Sequence, residues 1–161
     1  MNTYDFELIF KLSNKQEDAN IYLEKLFEVG CDDTIVSIGQ LGIISLSFSR
    51  ESENADEAIK SAISDILKAI PDAKLVEASP DIVSISDVAS ILGYSRQYVR
   101  KIFEKDISAS SPLPIHIGNP SIWHLSEVLS WMFDIKKLKK EDIPNSLFEI
   151  ANITKEVNLN R

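Results

Sequence analysis

The sequence predicts an α+β protein made of two modules, and three observations carry that reading. Period-two stretches alternate with period-3.6 stretches over residues 1–80. A closely patterned helical pair follows over residues 85–103. Charge is unevenly divided: residues 1–80 hold 7 Lys plus Arg against 15 Asp plus Glu, whereas residues 81–161 hold 10 against 10. All of the net charge of −8 therefore sits in the first half, and the break falls near Ser79-Pro80-Asp81.

Tyr4, Phe6, Leu8, Phe10 and Leu12 alternate with the mostly polar Asp5, Glu7 and Lys11, the pattern of a half-buried strand. Ala19, Tyr22, Leu23, Leu26 and Phe27 recur at helical spacing, with Glu24, Lys25 and Glu28 on the other side and Gly30 suited to the cap. Residues 34–38 and 43–49 are rich in β-branched side chains. They are joined by Gly39-Gln40-Leu41-Gly42, which predicts a hairpin. After the polar Glu51-Ser52-Glu53-Asn54, the series Ala55, Ala58, Ile59, Ala62, Ile63, Ile66, Leu67 and Ile70 predicts a second helix, stopped near Pro71. Residues 74–78 supply a last strand. The order strand, helix, strand, strand, helix, strand is that of a ferredoxin-like βαββαβ sandwich, two helices covering one face of an antiparallel sheet. Such a fold hosts many functions, and dimerisation is the one expected here.

With 161 residues and 44% hydrophobic content the chain suits a soluble globular protein. No apolar run approaches the roughly 20 residues that span a bilayer, and Asp5 and Glu7 stand where a signal peptide carries positive charge. No membrane association and a cytoplasmic location are the expectation. Cys31 is the single cysteine, so no internal disulfide and no sulfur-rich metal site can form. In Gly30-Cys31-Asp32-Asp33 the acidic neighbours raise the thiol pKa, leaving it inert, and the segment reads as a helix-to-strand turn. Asp32, Asp33, Glu51, Glu53, Asp56 and Glu57 read as solvated surface. No Ser-His-Asp set, phosphate loop, zinc motif or paired catalytic carboxylate occurs in recognisable spacing. The expectation is a protein that is not an enzyme and needs no cofactor or metal.

In the second module the run ISDVASILGYSRQYVRKIF sets small and apolar types at demanding offsets. Val88, Leu92, Val99 and Ile102 form a core between two helices, Ala89 sits at their close crossing, and Gly93 takes the left-handed turn position. Ser86 is placed to cap the first helix and Ser95 the second. The second helix then exposes Arg96, Gln97, Tyr98, Arg100 and Lys101. Arginine pairs bidentately with guanine and glutamine with adenine, while Ser95 at the helix start can approach a phosphate. Lys101 and Lys105 suit phosphates. Four basic residues against the single Glu104 make this stretch positive within an acidic chain. A plain helical hairpin with a solvated basic face does not require Ala, Gly and Ser at these positions.

Residues 83–133 resemble the winged helix-turn-helix of the MerR and excisionase (AlpA-like) group. The resemblance rests on Val88-Ala89, Leu92-Gly93-Tyr94-Ser95-Arg96, Pro112-Leu113-Pro114 and Gly118, and on the run Ile122-Trp123-His124-Leu125-Ser126-Glu127-Val128 leading to Trp131. It implies a helical hairpin, a Pro-containing approach, a short β wing, a further helix and binding of duplex DNA. One departure is that Ile122 and His124 flank Trp123 where such wings often carry Arg, which implies weaker wing contacts with phosphate. The whole chain also resembles bacterial DNA-binding proteins with an acidic N-terminal half, a likeness that assigns no activity.

Ile115-His116-Ile117, Gly118-Asn119-Pro120 and Ile122-Trp123-His124 alternate across a turn, which independently predicts a small hairpin. His116 and His124 share an outward sense and read as surface or phosphate-facing residues, and Trp123 and Trp131 read as core. Ser126 is placed to cap a helix running to Ile135. Lys136, Lys137, Lys139 and Lys140 form a basic patch, either phosphate-facing or a solvated helix end. Residues 145–157 predict a last helix with Leu147, Ile150, Ala151 and Val157 on one side. The expected divisions are 1–80, 81–135 and 136–161. The expected function is a homodimeric, sequence-specific double-stranded-DNA-binding regulator, a repressor or autoregulator reading an inverted repeat. Its expected contacts are Ser95, Arg96, Gln97, Tyr98, Arg100, Lys101, Lys105, His116 and His124. The alternatives are an antitoxin or mobile-element regulator whose acidic half binds a partner protein, and a regulator sensing a small ligand.

Overall fold

The structure, a computed structural model, describes residues 1–13, 19–37, 39–106 and 110–161. It divides into two compact units, Met1–Ser79 with Glu156–Arg161, and Pro80–Lys155. Both mix helix and strand, as an α+β chain should.

In the first unit, β1 (Asn2–Lys11) is followed by a 3₁₀ turn (Ala19–Tyr22), α1 (Leu23–Glu28), β2 (Thr34–Ser37), β3 (Ile43–Ser52), α2 (Ala55–Ala69) and β4 (Lys74–Ser79). The strands form one antiparallel sheet in the order β2-β3-β1-β4. Register follows the period-two pattern. Phe6 faces Phe48 and Leu8 faces Leu46, and the rings of Phe6 and Phe48 stack at 5.1 Å. These residues are buried with Tyr4, Phe10 and Ile44 and with Ala58, Ile59, Ala62 and Ile66 of α2. On the opposite face the same register sets Ser47 beside Glu7 and Ser49 beside Asp5, with hydroxyl-to-carboxylate bonds of 3.1 and 2.6 Å. A slip of one residue would exchange the two faces, so burial fixes the pairing. Asn54 caps α2 by accepting from the Glu57 amide at 2.8 Å.

The first helix departs from its sequence pattern. Leu26 is buried, but Leu23 and Phe27 are 40% and 68% exposed. Part of the stretch is a 3₁₀ turn, whose three-residue period cannot continue a 3.6-residue stripe, and α1 is only 6 residues long. Of the strand expected over 34–38, Ile38 lies outside the described residues. In the loop before β3, Gly42 takes a positive φ of 78°.

Alternation along β3 carries Arg50 to the core side, directly after Phe48, where it is 7% exposed. Asp33 grips it at both oxygens, Nε at 2.8 Å and Nη2 at 3.1 Å. Nη1 donates to Ser61 Oγ at 3.0 Å and Asp65 Oδ2 at 3.1 Å, and Nη2 also donates to the Gly30 carbonyl at 3.2 Å. All five guanidinium hydrogens are thereby used. Asp33 is therefore not the solvated residue its surroundings in the sequence predict: the folded sheet delivers a buried cation to it. Cys31 is buried, and its pKa is pushed up to about 11, by burial first and then by Asp65 and Asp33, with Arg50 opposing. The sequence suggested the acidic neighbours as the cause, but burial is the larger one.

In the second unit, β5 (Ile82–Val83) leads to α3 (Ile85–Leu92), α4 (Arg96–Lys105), β6 (Trp123–His124), α5 (Leu125–Asp134), a 3₁₀ turn (Lys140–Asp142) and α6 (Asn145–Leu159), whose residues from Glu156 onward belong to the first unit. Its core gathers Val83, Val88, Ala89, Val99, Ile102, Trp123, Leu125, Val128, Leu129, Trp131 and Met132. Three local expectations change. Residues 115–124 do not form a regular hairpin, since β6 pairs with β5 and only an isolated bridge links His116 to Ile122. Burial decides this, because pairing Val83 with Trp123 puts both into the core. Ser86 is not the cap of α3: Ser84 is, in a capping box with Asp87, where the amide of each bonds the side chain of the other at 2.9 and 3.2 Å. Ser126 caps nothing, since α5 starts one residue earlier and buries Ser126 within its first turn.

Two outcomes are expected. Arg50→Ala, which strands two acidic groups beside the core, should lower unfolding free energy by about 3–5 kcal/mol in urea titration. The folded state holds the Cys31 proton more tightly than an unfolded thiol of pKa 9.0, so this contribution to stability is full below pH 9.0 and is lost as pH rises towards 11. Alkylation of native protein at pH 8 should accordingly be slow and should become fast on unfolding.

Candidate nucleic-acid interface

The helical pair is built from its caps inward. Gly93 closes α3 in the left-handed conformation, φ 74° and ψ 25°, and the Tyr94 amide then donates to the Ala89 carbonyl at 2.9 Å. Ser95 opens α4 by accepting from the Tyr98 amide at 3.1 Å. Val88 and Ala89 of α3 and Val99 and Ile102 of α4 are buried, and Leu92 is half-buried beside them. Phe103 packs against Trp123 at 4.7 Å and Trp131 at 5.0 Å, which fixes the C-terminal half of α4.

With Val99 and Ile102 turned inward, the 100° step of an α-helix puts Gln97, Arg100, Lys101 and Glu104 on the opposite side, with Arg96 and Lys105 flanking them. Ser95, Arg96, Gln97, Tyr98, Arg100, Lys101 and Lys105 are all exposed. Tyr98 stands edge-on to Tyr94 at 5.2 Å. The Tyr94 hydroxyl has a raised pKa, from burial first and then from Asp142 and Tyr98. Among the described residues no ion pair involves Arg96, Arg100, Lys101 or Lys105. Arg50, by contrast, is fully engaged. These cations project from one helix, an arrangement that suits polyanions.

The segment leading to β6 closes as a loop. Ile115 N donates to Ile122 O at 2.7 Å, Ile122 N to His116 O at 3.0 Å, and Gly118 N to Ser121 Oγ at 3.1 Å. A Cβ at Gly118 would lie 2.6 Å from Nε2 of His116, so a larger residue there would require that exposed ring to turn aside. His116 is exposed on this loop, together with the apolar Leu113 and Ile117.

His124 does not join them. Its Nδ1 lies 2.7 Å from Oδ1 of Asp81, a residue with no exposed surface, and its side chain is 16% exposed. His124 thus commits its Nδ1 to an internal bond, where the alternation of the sequence predicts a ring facing outward. The antiparallel pairing of Ile82 with His124 and the bond from Leu125 N to Asp81 O put the two side chains together. In the sequence Asp81 marks only a module boundary. The two residues are 43 positions apart, and no local pattern connects them. Lys136, Lys137, Lys139 and Lys140 are exposed. Among the described residues no group of three or more His, Cys, Asp or Glu could hold a metal ion, and no helix is long and apolar enough to cross a membrane.

His124→Ala removes a partner from a buried carboxylate and should cost about 1–3 kcal/mol of stability by thermal or urea unfolding. His116→Ala, at an exposed position, should change stability by less than about 0.5 kcal/mol. No family model, no curated protein and no solved structure matches this chain, so its own geometry carries the functional reading.

Proposed function

We propose that the chain is a sequence-specific double-stranded-DNA-binding regulator of the bacterial cytoplasm, with α4 as the helix that enters the major groove. The single observation that carries this is α4 itself. Packed through Val99 and Ile102 and capped by Ser95, it presents Arg96, Gln97, Arg100 and Lys101 exposed and outside any ion pair among the described residues. Cations spent on internal pairs could not release phosphate counterions; these are available to do so. Arg96, Gln97 and Arg100 are the base-reading candidates. Ser95, Lys101 and Lys105 are the phosphate candidates, and Tyr98 is a flanking contact.

In this reading the second unit is a winged helix-turn-helix related to the MerR and excisionase group. Its wing is the loop over 112–122, and His116 is its polar contact. The wing has no Lys or Arg, so α4 supplies most of the affinity. The first unit is a ferredoxin-like dimerisation module, and the protein binds as a homodimer, acting as a binder and not a catalyst. A second role is supported by the first half's excess of 15 acidic over 7 basic residues, which suits a basic partner protein such as the toxin of an antitoxin pair.

Selection from a random duplex pool at low salt should enrich one motif with the native protein. The double variant Arg96→Ala plus Arg100→Ala should lose that motif while keeping its fold by circular dichroism. Enrichment of no motif by the native protein would sink the proposal. Equal enrichment by the variant would remove α4 as the reader. In salt titrations, Lys101→Ala should weaken binding uniformly across sequences and reduce the log–log slope by about one.

A further inference from the structure

The two edges of the first unit's sheet differ. At the β4 edge, the Asn158 side chain accepts from the Ala78 amide at 2.8 Å and donates to the Ala78 carbonyl at 2.7 Å, occupying both groups as a neighbouring strand would. At the β2 edge, among the described residues, β2 pairs with β3 alone. Ser49 N donates to Asp33 O at 3.0 Å, so the alternation of an antiparallel ladder points the backbone groups of Ile35 towards β3. Those of Thr34 and Val36 point to the open edge.

Open edges are normally guarded by charge or proline. This one relies on the shortness of its four residues alone: residues 34–42 contain neither, in a chain that is 26% charged, and Ile35 is 74% exposed. We infer that β2 pairs antiparallel with β2 of a second copy of this chain about a two-fold axis at Ile35, joining two four-stranded sheets into one.

The register follows from the backbone. With Ile35 opposite its symmetry mate as a non-hydrogen-bonded pair, Thr34 of each copy exchanges both backbone bonds with Val36 of the other. The two Ile35 side chains then lie side by side on one face, where each covers the other. The occupant is a second copy because the strand is uncharged and self-complementary. A basic partner segment would call for carboxylates along this edge, and none lies within residues 34–42. Two acidic modules meet here at their neutral stretch, which limits their repulsion. So short a pairing buries less than the roughly 1,200 Å² of a standard interface, and the dimer it makes is weak on its own. The inference specifies the dimer in the proposed DNA-binding reading, but its test uses no DNA, so either can fail alone.

Sedimentation of the full chain should show reversible self-association below about 100 µM. Ile35→Glu should remain monomeric at the same concentrations with unchanged urea stability. Ile35→Cys should form a disulfide-linked dimer under mild oxidation, because facing residues of such a pair lie about 4.5 Å apart at Cα. Ser37→Cys should not, its mate being offset by four residues, about 13 Å. Buried Cys31 does not compete. A native chain that stays monomeric overturns the inference. So does a dimer that survives Ile35→Glu, or one that crosslinks through Ser37→Cys as readily as through Ile35→Cys.

Discussion

The first unit is organised around the guanidinium of Arg50. A cation 7% exposed on the core side of a sheet is tolerable only when every donor is used, and here Asp33, Asp65, Ser61 and the Gly30 carbonyl use them all. Its partners come from the turn after α1 and from α2, both distant in sequence. The same bonds therefore fix where the α1–β2 turn lies, how α2 sits on the sheet, and why Cys31 is enclosed between acidic groups. The cleft beside Arg50, lined also by Thr3, Ser49 and Glu51, has a volume of about 600 Å³. Its central cation is fully occupied by internal acceptors.

The second unit solves the converse problem. Asp81 is a carboxylate with no exposed surface, and His124 sits against it at 2.7 Å. Among the described residues, each unit thus buries one residue of a charged type, Arg50 or Asp81, and satisfies it from another segment. The cations of α4 differ in being exposed and outside any ion pair among the described residues. That contrast gives Arg96, Arg100 and Lys101 a meaning that the net charge of −8 conceals. Interaction with a polyanion depends on the local field within roughly a Debye length, not on the sum over the chain.

Elements governed by local rules were legible in the sequence. β1, β3 and α2 follow from their periods, Gly93 and Ser95 from turn and cap chemistry, and the buried Val88, Ala89, Val99 and Ile102 from spacing. The structure departs from the sequence pattern where locally equivalent options compete, settled at a cap by a reciprocal partner three residues on and at a strand by a distant contact. Ser84 and Ser86 are both competent caps, and Asp87 selects Ser84 by completing the reciprocal pair. Leu23 and Phe27 have helical spacing, but so short an α1 brings only Leu26 into the core. The 115–124 stretch alternates like a hairpin, but β5 takes β6 because that pairing buries Trp123 and Val83.

The sequence by itself determined the α+β class, the order of strands and helices in the first unit, the acidic and neutral halves, and the residue types on the outer face of α4. Period, propensity and composition are local quantities, readable one segment at a time. Tertiary structure alone decided that Arg50 would be buried, that Asp33 would serve it, that His124 would turn inward to Asp81, and that among the described residues β2 would pair with β3 alone. Each depends on which distant backbone lies alongside, and that choice follows from burial over the whole unit.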